Sequence, residues 1–241
     1  MEGVRGAEQS PGAFRSGQVH IGHDRRFVPP PPTHVRSCLD ELQQYLSAQD
    51  TLNEPLVRCY LVHYQFETIH PFLDGNGRVG RLLLAIMIRD FCRLAGPWLY
   101  MSAYFDRHRD EYIDRLFAVS TQSAWENWIE FCLYGTREQA KDTLCRCEAL
   151  LRVRDGFQRR LPPKGSVRLA QLVEGLFYSP LVRIADVQRR MQITYPTAKA
   201  DVERLVEVGI LEELPGENPR TFVAREVYNV AFSEDGTPAL E

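Results

Sequence analysis

The chain has 241 residues, 44% of them hydrophobic and 25% charged, an ordinary composition for a globular protein with one large domain or one medium and one small. Its formal net charge of −3 excludes an overall basic surface for binding nucleic acid or acidic membranes. No apolar run reaches the roughly 20 residues that span a bilayer, and residues 1–12 lack the apolar core of a secretion signal. We therefore expect a cytoplasmic protein whose six cysteines, none in C-x-x-C spacing, are reduced and mostly buried.

The N-terminal segment, residues 1–33, is rich in Gly, Pro, Arg and Ser and ends in four consecutive prolines at 29–32. Consecutive prolines hold a chain extended and forbid helix. Residues 19–28 are predicted to form a short β-hairpin just before them.

Residues 34–160 are predicted to be helical throughout. Apolar side chains at helical spacing predict helices over residues 34–46, 55–69, 78–94, 103–120 and 125–153. Pro55 suits a first helical turn, and Gly96-Pro97 ends the third helix. The fold class is therefore mainly α, a helical bundle with a short β element near its start.

The helical pattern breaks at residues 161–165, which we take as the domain boundary. Beyond it, residues 164–241 show three short helical patterns, over 168–177, 183–191 and 195–208. A turn-rich stretch and a strand-like segment at 221–223 follow. Three helices followed by a two-stranded wing is the layout of a winged helix-turn-helix.

The segment His70-Pro71-Phe72-Leu73-Asp74-Gly75-Asn76-Gly77-Arg78-Val79-Gly80-Arg81 has the clearest chemistry in the chain. Gly75 and Gly77 allow crowded or left-handed backbone, so their amide groups can converge on one point. The helix that follows directs its unpaired N–H groups and positive dipole end to that point. The segment therefore predicts an anion site suited to a di- or triphosphate.

The side chains of this segment fit a bound polyphosphate. Arg78 and Arg81 lie three residues apart on one helix face, and guanidinium groups bind phosphate oxygens bidentately. Asp74 is a hard oxygen ligand that can hold Mg²⁺ together with substrate oxygens. His70 is a side chain suited to taking a proton from a hydroxyl near neutral pH.

Plainer interpretations exist for each of these residues. Asn-Gly is a common tight-turn pair, a lone histidine at a helix end is usually structural, and two arginines can simply form a solvated face. A calcium-binding loop is excluded, because Arg78 and Val79 stand where that loop needs Asp or Asn and Gly. All the plain interpretations would have to hold together at fixed spacing within twelve residues, so the functional one is favoured.

Residues 70–81 match every position of the Fic signature, H-P-F-x-(D/E)-G-N-G-R-x-x-R, and the chain resembles the Fic family. The preceding Tyr64-Gln65-Phe66-Glu67-Thr68-Ile69 and the following Leu82-Leu83-Leu84 also look like the family. The resemblance extends from Pro11-Gly12-Ala13-Phe14-Arg15, through residues 27–32, to the C-terminal winged helix-turn-helix.

This resemblance implies a Fic-type helical bundle that transfers AMP from ATP to a protein hydroxyl. By it, His70 is the catalytic base that deprotonates a Ser, Thr or Tyr hydroxyl, and attack at the α-phosphorus releases pyrophosphate. Asp74 holds Mg²⁺ between the α- and β-phosphates. Gly75, Asn76 and Gly77 hold those phosphates, Arg78 meets the β-phosphate and Arg81 the γ-phosphate, while Phe72 anchors the loop in the core.

Two further positions follow from the resemblance. Tyr112 matches a tyrosine that lines the adenosine pocket, although a core tyrosine at helical spacing is an equal alternative. Phe27 and Val28 fall in the flap, a hairpin that borders the nucleotide and pairs with the target backbone. The segment between Ile21-Gly22 and Phe27 is shorter than in many relatives, and Ile113 stands where many have a second tyrosine.

The resemblance also bears on regulation. Many relatives carry an inhibitory helix whose glutamate pairs with the second signature arginine, and residues 1–10 hold no such motif. Either the chain is an N-terminally truncated form or inhibition comes from another chain. Our hypothesis is that Arg81 is unrestrained and the protein constitutively active.

The sequence thus predicts an adenylyltransferase that uses ATP and Mg²⁺ and acts on a protein, itself included, with homodimer formation left open. The alternatives are transfer of another nucleotide, removal of AMP by the same site, or a DNA-binding regulator that senses a nucleotide. Residues 164–241 hold nine basic and twelve acidic residues, 9 − 12 = −3, whereas duplex binding needs a basic face. Contact with protein is therefore favoured over DNA for this part.

Overall fold

The computed structural model describes residues 12–22, 25–48, 53–162 and 167–232. Residues 1–11, and with them the prediction about an inhibitory motif in residues 1–10, lie outside the described part, as do residues 163–166 next to the predicted boundary. The chain divides into two compact units, residues 1–141 and 142–241, and each has its own hydrophobic core. None of the helices in the described ranges is both long enough and apolar enough to cross a membrane.

The first unit is helical, as predicted, around one almost fully buried helix. That helix, α2, begins at Pro55 and buries residues on all sides, so it packs against both the helix before it and the helix after it. The indole N–H of Trp128 donates to the Tyr60 carbonyl of α2 at 3.2 Å. The helices are a short 3₁₀ turn Pro32–His34, α1 Val35–Ser47, α2 Pro55–Ile69, α3 Asn76–Phe91, α4 Met101–Arg107, α5 Arg109–Gln122 and α6 Trp125–Arg160.

The helix predicted over residues 103–120 is two helices. His108 leaves helical geometry, with φ −108° and ψ 37°, and separates α4 from α5. No proline or glycine marks this break in the sequence. The His108 ring instead packs on Tyr104 at 4.5 Å and on Phe131 at 6.4 Å, so tertiary packing fixes the bend.

In the described part of residues 19–28, the predicted hairpin consists of one antiparallel bridge, between Ile21 and Phe27. Phe27 is buried and its ring packs edge-on against Phe117 at 5.8 Å. The neighbouring Val28 is 57% exposed, because successive side chains of an extended segment point to opposite sides.

The second unit begins at Asp142, inside α6, rather than at residue 164. The reason is packing: α6 continues to Arg160, past the predicted end at 153, and Ala149, Val153 and Phe157 are buried in the core of this unit. The remaining elements are α7 Val167–Leu176, β1 Leu181–Arg183, α8 Ile184–Met191, α9 Tyr195–Glu207, β2 Glu212–Glu213, β3 Thr221–Val223 and α10 Arg225–Phe232.

The three strands form a small antiparallel sheet with β3 in the middle, in the order β1-β3-β2. Strand β1 and helix α10 were not predicted. Both are short, and the strand gains its stability from pairing with β3, which lies about 40 residues away in sequence.

The cysteines are only partly buried. Cys59 and Cys132 lie in the core, Cys38 and Cys92 are intermediate, and Cys145 and Cys147 are exposed; all six are free thiols.

Candidate active site

The loop between α2 and α3 has two residues in left-handed conformation, and these set its shape. His70, the residue after α2, has φ 49° and ψ 61°, and Gly75, the residue before α3, has φ 87°. A glycine takes this conformation without strain, whereas a histidine does so at a cost of about 1–3 kcal/mol unless its surroundings hold it. His70 is therefore expected to be held by its neighbours.

Arg15 is the neighbour that holds it. Its Nε–H donates to the His70 carbonyl at 2.8 Å and its terminal N–H to the Ile69 carbonyl at 3.4 Å, while its backbone N–H donates to the Pro71 carbonyl at 2.9 Å. The Ile69 and His70 carbonyls stand at the end of α2, with no later turn of helix to bond them, so a buried cation caps them and suits the negative end of the helix dipole. Arg15 thus fixes the backbone on both sides of His70.

Asn76 closes the loop from the other end. Its side-chain oxygen accepts from the Phe72 N–H and its side-chain N–H donates to the Phe72 carbonyl, both at 2.8 Å. Because Asn76 is only 2% exposed, its side chain is committed to the protein. The predicted phosphate contact at Asn76 can therefore come from its backbone alone.

The imidazole of His70 is arranged as a proton acceptor. Its Nδ1 lies 3.1 Å from the Glu67 carbonyl, and donation to that oxygen leaves the lone pair on Nε2. Burial lowers the pKa of His70, the bond to the Glu67 carbonyl works against this, and the positive charge of Arg15 lowers the pKa further. The ring is therefore held in the neutral form that a general base requires.

A cavity of about 440 Å³ opens in front of this ring and the start of α3. The first N–H groups of α3 have no carbonyl partner within the helix, so they provide partial positive charge at the cavity. Arg78 bonds Asp74 at 3.1 Å and Arg81 lies 3.8 Å from Asp106, so each arginine is steered by one acidic neighbour. The cavity is lined by His20, Ile21, Gly22, Glu67, His70, Leu73, Asp74, Gly75, Asn76, Gly77, Arg78, Arg81, Phe105, Asp106, Arg109, Tyr112 and Ile113.

Larger hollows of about 740 and 500 Å³ lie elsewhere in the first unit. We assign the site by its chemistry and not by its size, because the smaller cavity gathers two histidines, three acidic side chains, three arginines and a helix start. Such a combination binds an anion and can move a proton beside it.

The structure brings all the predicted site residues except Val28 to this cavity. Val28 points to solvent beside the buried Phe27, and the N-terminal segment reaches the cavity through His20, Ile21 and Gly22 instead. Phe72, predicted to anchor the loop, packs on Phe14 at a ring distance of 5.9 Å.

Tyr112 is both a lining residue and a core residue. Its ring packs on Phe105 at 4.8 Å, and its hydroxyl shares a 3.0 Å hydrogen bond with Nε2 of His63. His63 is fully buried, and burial lowers its pKa to about 3, so it is a neutral partner that fixes the hydroxyl of Tyr112.

The sequence did not predict the roles of Arg15, His63, Glu67 or Asp106. Arg15 stood in a segment that was noted only as resembling the family. His63 and Glu67 precede His70 by seven and three residues, so helical periodicity placed them on its side of α2 and was the available signal. Asp106 had none, because it lies on α4 and meets Arg81 of α3 only through tertiary packing.

A protein-family model matches the part of the chain that contains His70 and the start of α3. Residues 2–88 match the model of the Fic/DOC family. Protein adenylyltransferase fic-1 of Caenorhabditis elegans is 38% identical over 78 residues, which are 32% of this chain and 15% of that protein. Protein adenylyltransferase Fic of Aedes aegypti is 34% identical over 106 residues, 44% of this chain and 19% of that one.

The chain thus spans less than a fifth of the length of these curated relatives. Among solved structures, a Fic family protein from Desulfovibrio desulfuricans G20 is similar with a TM-score of 0.50 and 24% identity. The match covers 88% of this chain and 62% of that one, and it concerns the fold alone.

Proposed function

We propose that this protein is an adenylyltransferase that transfers AMP from ATP to a serine, threonine or tyrosine hydroxyl of a target protein, itself included. The observation that carries the proposal is the neutral His70 ring beside an anion site, within one cavity. The Fic/DOC match and the names of the similar adenylyltransferases support the choice of AMP.

In the proposed reaction, Nε2 of His70 takes the proton of the target hydroxyl. The hydroxyl oxygen forms a bond to the α-phosphorus, the bond from that phosphorus to the bridging oxygen breaks, and pyrophosphate leaves with the electron pair. The protein positions the reactants and neutralises charge, as in phosphoryl transfer generally.

The nucleotide contacts are proposed from the arrangement of the lining residues. Backbone N–H groups of Gly75, Asn76 and Gly77 would hold the inner phosphates, and Arg78 and Arg81 the outer ones. Tyr112 would line the adenosine side, held in place by His63. Val28 would contact the nucleotide only if the flap around Phe27 and Val28 rearranges when a target peptide pairs with it.

Asp74 would hold Mg²⁺. Its carboxylate is partly exposed at the cavity, where one oxygen accepts from the Gly75 N–H at 2.7 Å and the other from Arg78. A single carboxylate next to phosphate oxygens is a donor set that Mg²⁺ accepts, so the residues present fit the ion. When bound, Mg²⁺ would neutralise the phosphate oxygens, and Asp74 would exchange Arg78 for the metal.

The test uses two radioactive labels on the same nucleotide. The chain, alone and with a cell lysate, is incubated with Mg²⁺ and ATP labelled at the α- or the γ-phosphorus. For the chain alone we expect labelling from α-labelled ATP only, and intact-mass spectrometry should find one added AMP on each modified chain. The lysate is read with α-labelled ATP, because its own kinases transfer the γ-phosphate.

The variants decide whether this site acts. His70→Ala should lower labelling by at least about 100-fold, whereas His34→Ala, an exposed histidine of the same unit, should label normally. Labelling from the γ-phosphorus would mean a kinase-type reaction. Nucleotide binding without any transfer would leave a sensor and overturn the proposal.

For the second unit we infer a winged helix-turn-helix that contacts protein rather than DNA. Helices α7 to α9 beside a three-stranded antiparallel sheet support this fold. On α9, the candidate reading helix, Lys199 lies 3.7 Å from Glu203 and Arg204 3.5 Å from Glu207, so both cations are paired within the helix. A salt-dependent mobility shift on a mixed-sequence duplex would overturn the preference for protein.

A further inference from the structure

The cavity holds a buried carboxyl group that the proposed reaction does not use. Glu67 lies on the last turn of α2, three residues before His70, and is only 5% exposed although it lines the cavity. Within the described part of the chain its Oε1 has no hydrogen-bond partner. A buried carboxyl oxygen without a partner is costly, which calls for a functional explanation.

Gly80 brings this carboxyl against α3. A Cβ at residue 80 would lie 2.2 Å from Oε1 of Glu67, so the absence of a side chain gives the carboxyl its place. The residue next to Gly80 is Arg81, which lines the same cavity. The other acidic neighbour of Arg81 is Asp106, at 3.8 Å and 61% exposed, which makes that ion pair weak.

The charged and titratable groups around Glu67 come from three helices. Arg81 of α3 attracts a negative charge at Glu67, while Tyr112 of α5 is buried and neutral, its pKa raised by burial and by Glu67. On α2 itself, burial keeps His63 and His70 neutral. Burial raises the pKa of Glu67 to about 7, and Arg81 opposes that rise.

We propose that Glu67 is a positioning residue that balances the charge of Arg81 before nucleotide binds and takes up a proton from solvent when the polyphosphate arrives. Arg81 then turns to the outer phosphates, and the neutral carboxylic acid remains below it. The charges balance, because one proton moves from bulk water to one carboxylate.

The physical reason is that a bound polyphosphate disfavours a nearby carboxylate twice. Its own negative charge repels Glu67, and it draws away the guanidinium that stabilised the ionised form. Nucleotide affinity then depends on pH. Above the pKa that Glu67 has in the nucleotide-free protein, Glu67 must take up a proton as the nucleotide binds, so the affinity falls by up to tenfold for each pH unit.

The experiment measures proton uptake by calorimetry. The α,β-methylene analogue of ATP is titrated into the protein at pH 6 and pH 8, each in two buffers with different ionisation enthalpies. At pH 8 we expect uptake approaching one proton per nucleotide, and at pH 6 almost none. Apparent affinity should fall about tenfold between the two pH values.

The variants separate Glu67 from other titrating groups. Glu67→Gln should remove the uptake that wild type shows beyond the nucleotide's own titration, together with the extra loss of affinity at pH 8. Asp106→Asn, which removes the exposed carboxyl near Arg81, should keep both. The calorimetric result on wild type needs no variant and therefore does not depend on how well Glu67→Gln folds.

This inference rests on the proposed nucleotide site, but the two can fail separately. Tight binding with no proton uptake at pH 8, or uptake that persists in Glu67→Gln, would overturn the role of Glu67 and leave the adenylyltransferase proposal standing. If wild type binds no nucleotide analogue at either pH, the nucleotide site itself is wrong, and the inference fails with it.

Discussion

Replacing Gly80 by alanine tests how closely Glu67 packs against α3. The new Cβ would lie 2.2 Å from Oε1 of Glu67 and 3.0 Å from Cδ1 of Phe66, while ordinary contacts begin near 3.4 Å. Both neighbours are buried and cannot simply move to solvent. Overpacking of this kind costs about 2–3 kcal/mol, and alanine returns about 1 kcal/mol of helix propensity. We expect a net loss of roughly 1–2 kcal/mol in the free energy of unfolding.

Gly156→Ala is the matched control. Gly156 also lies within a helix, and the nearest atom to its new Cβ is the flexible end of Arg160, at 3.8 Å. Without a clash only the helix propensity remains, so this variant should gain about 0.5–1 kcal/mol. Both are measured by urea denaturation. All three tryptophans lie in the first unit and report on Gly80→Ala, while far-UV circular dichroism follows Gly156→Ala.

A double variant identifies the cause of the loss. In a Glu67→Ala background the carboxyl is gone, so Gly80→Ala should become neutral or slightly stabilising, an interaction of roughly 1–3 kcal/mol between the two sites. If Gly80→Ala lowers the free energy of unfolding equally in both backgrounds, or not at all in wild type, then Glu67 does not lie against Gly80 and our account of how Glu67 packs is wrong.

Three further predictions concern the loop between α2 and α3 and the buried Glu67 beside it. Arg15→Met should lower the free energy of unfolding by about 3 kcal/mol, because buried carbonyls lose their donor. Loss of the positive charge of Arg15 should also raise the pKa of His70, so the transfer rate should begin to fall at a higher pH on the acidic side. Asn76→Ala should cost about 2 kcal/mol by removing both bonds to Phe72. Asn76→Asp should cost at least as much near pH 7, because it sets a buried carboxylate oxygen against the Phe72 carbonyl, and a smaller loss for Asn76→Asp would contradict this. The raised pKa of Glu67 contributes stability below pH 4.5 that is lost as pH rises through about 7, so Glu67→Gln should stabilise the protein by about 2–3 kcal/mol at pH 8 and hardly at all at pH 4.5.

The fold could be predicted where local signals are strong. Pro55 and the run of apolar residues after it defined α2 to the residue, since proline is favoured at a helix start. The bend at His108 and the extension of α6 to Arg160 could not be predicted, because both depend on side chains that are distant in sequence. Strand β1 depends on pairing with β3 in the same way.

The candidate site could be predicted as a set of residues but not as a network. Spacing alone brought His70, Asp74 and the arginines together, because a short loop and one helix turn carry them all. The bonds of the Asn76 side chain to Phe72 were not predicted, since a turn amide can bond its own loop as readily as a phosphate. Arg15 acts 55 residues away from His70, and no local pattern shows such a contact.

The arrangement of α2 explains how one cavity can serve both an anion and a base. His63, Glu67 and His70 follow one another at intervals of four and three residues, so they lie on one face of the most buried helix of the first unit. Burial lowers the pKa of both histidines and raises that of Glu67, so all three are driven towards their neutral forms near pH 7. The field in the cavity is then set by the start of α3 and its arginines, which attract phosphate, while the neutral ring of His70 keeps its lone pair for a proton. Charge on this face of α2 would impair anion binding or proton transfer. An ionised Glu67 weakens anion binding, and a protonated His70 cannot act as a base.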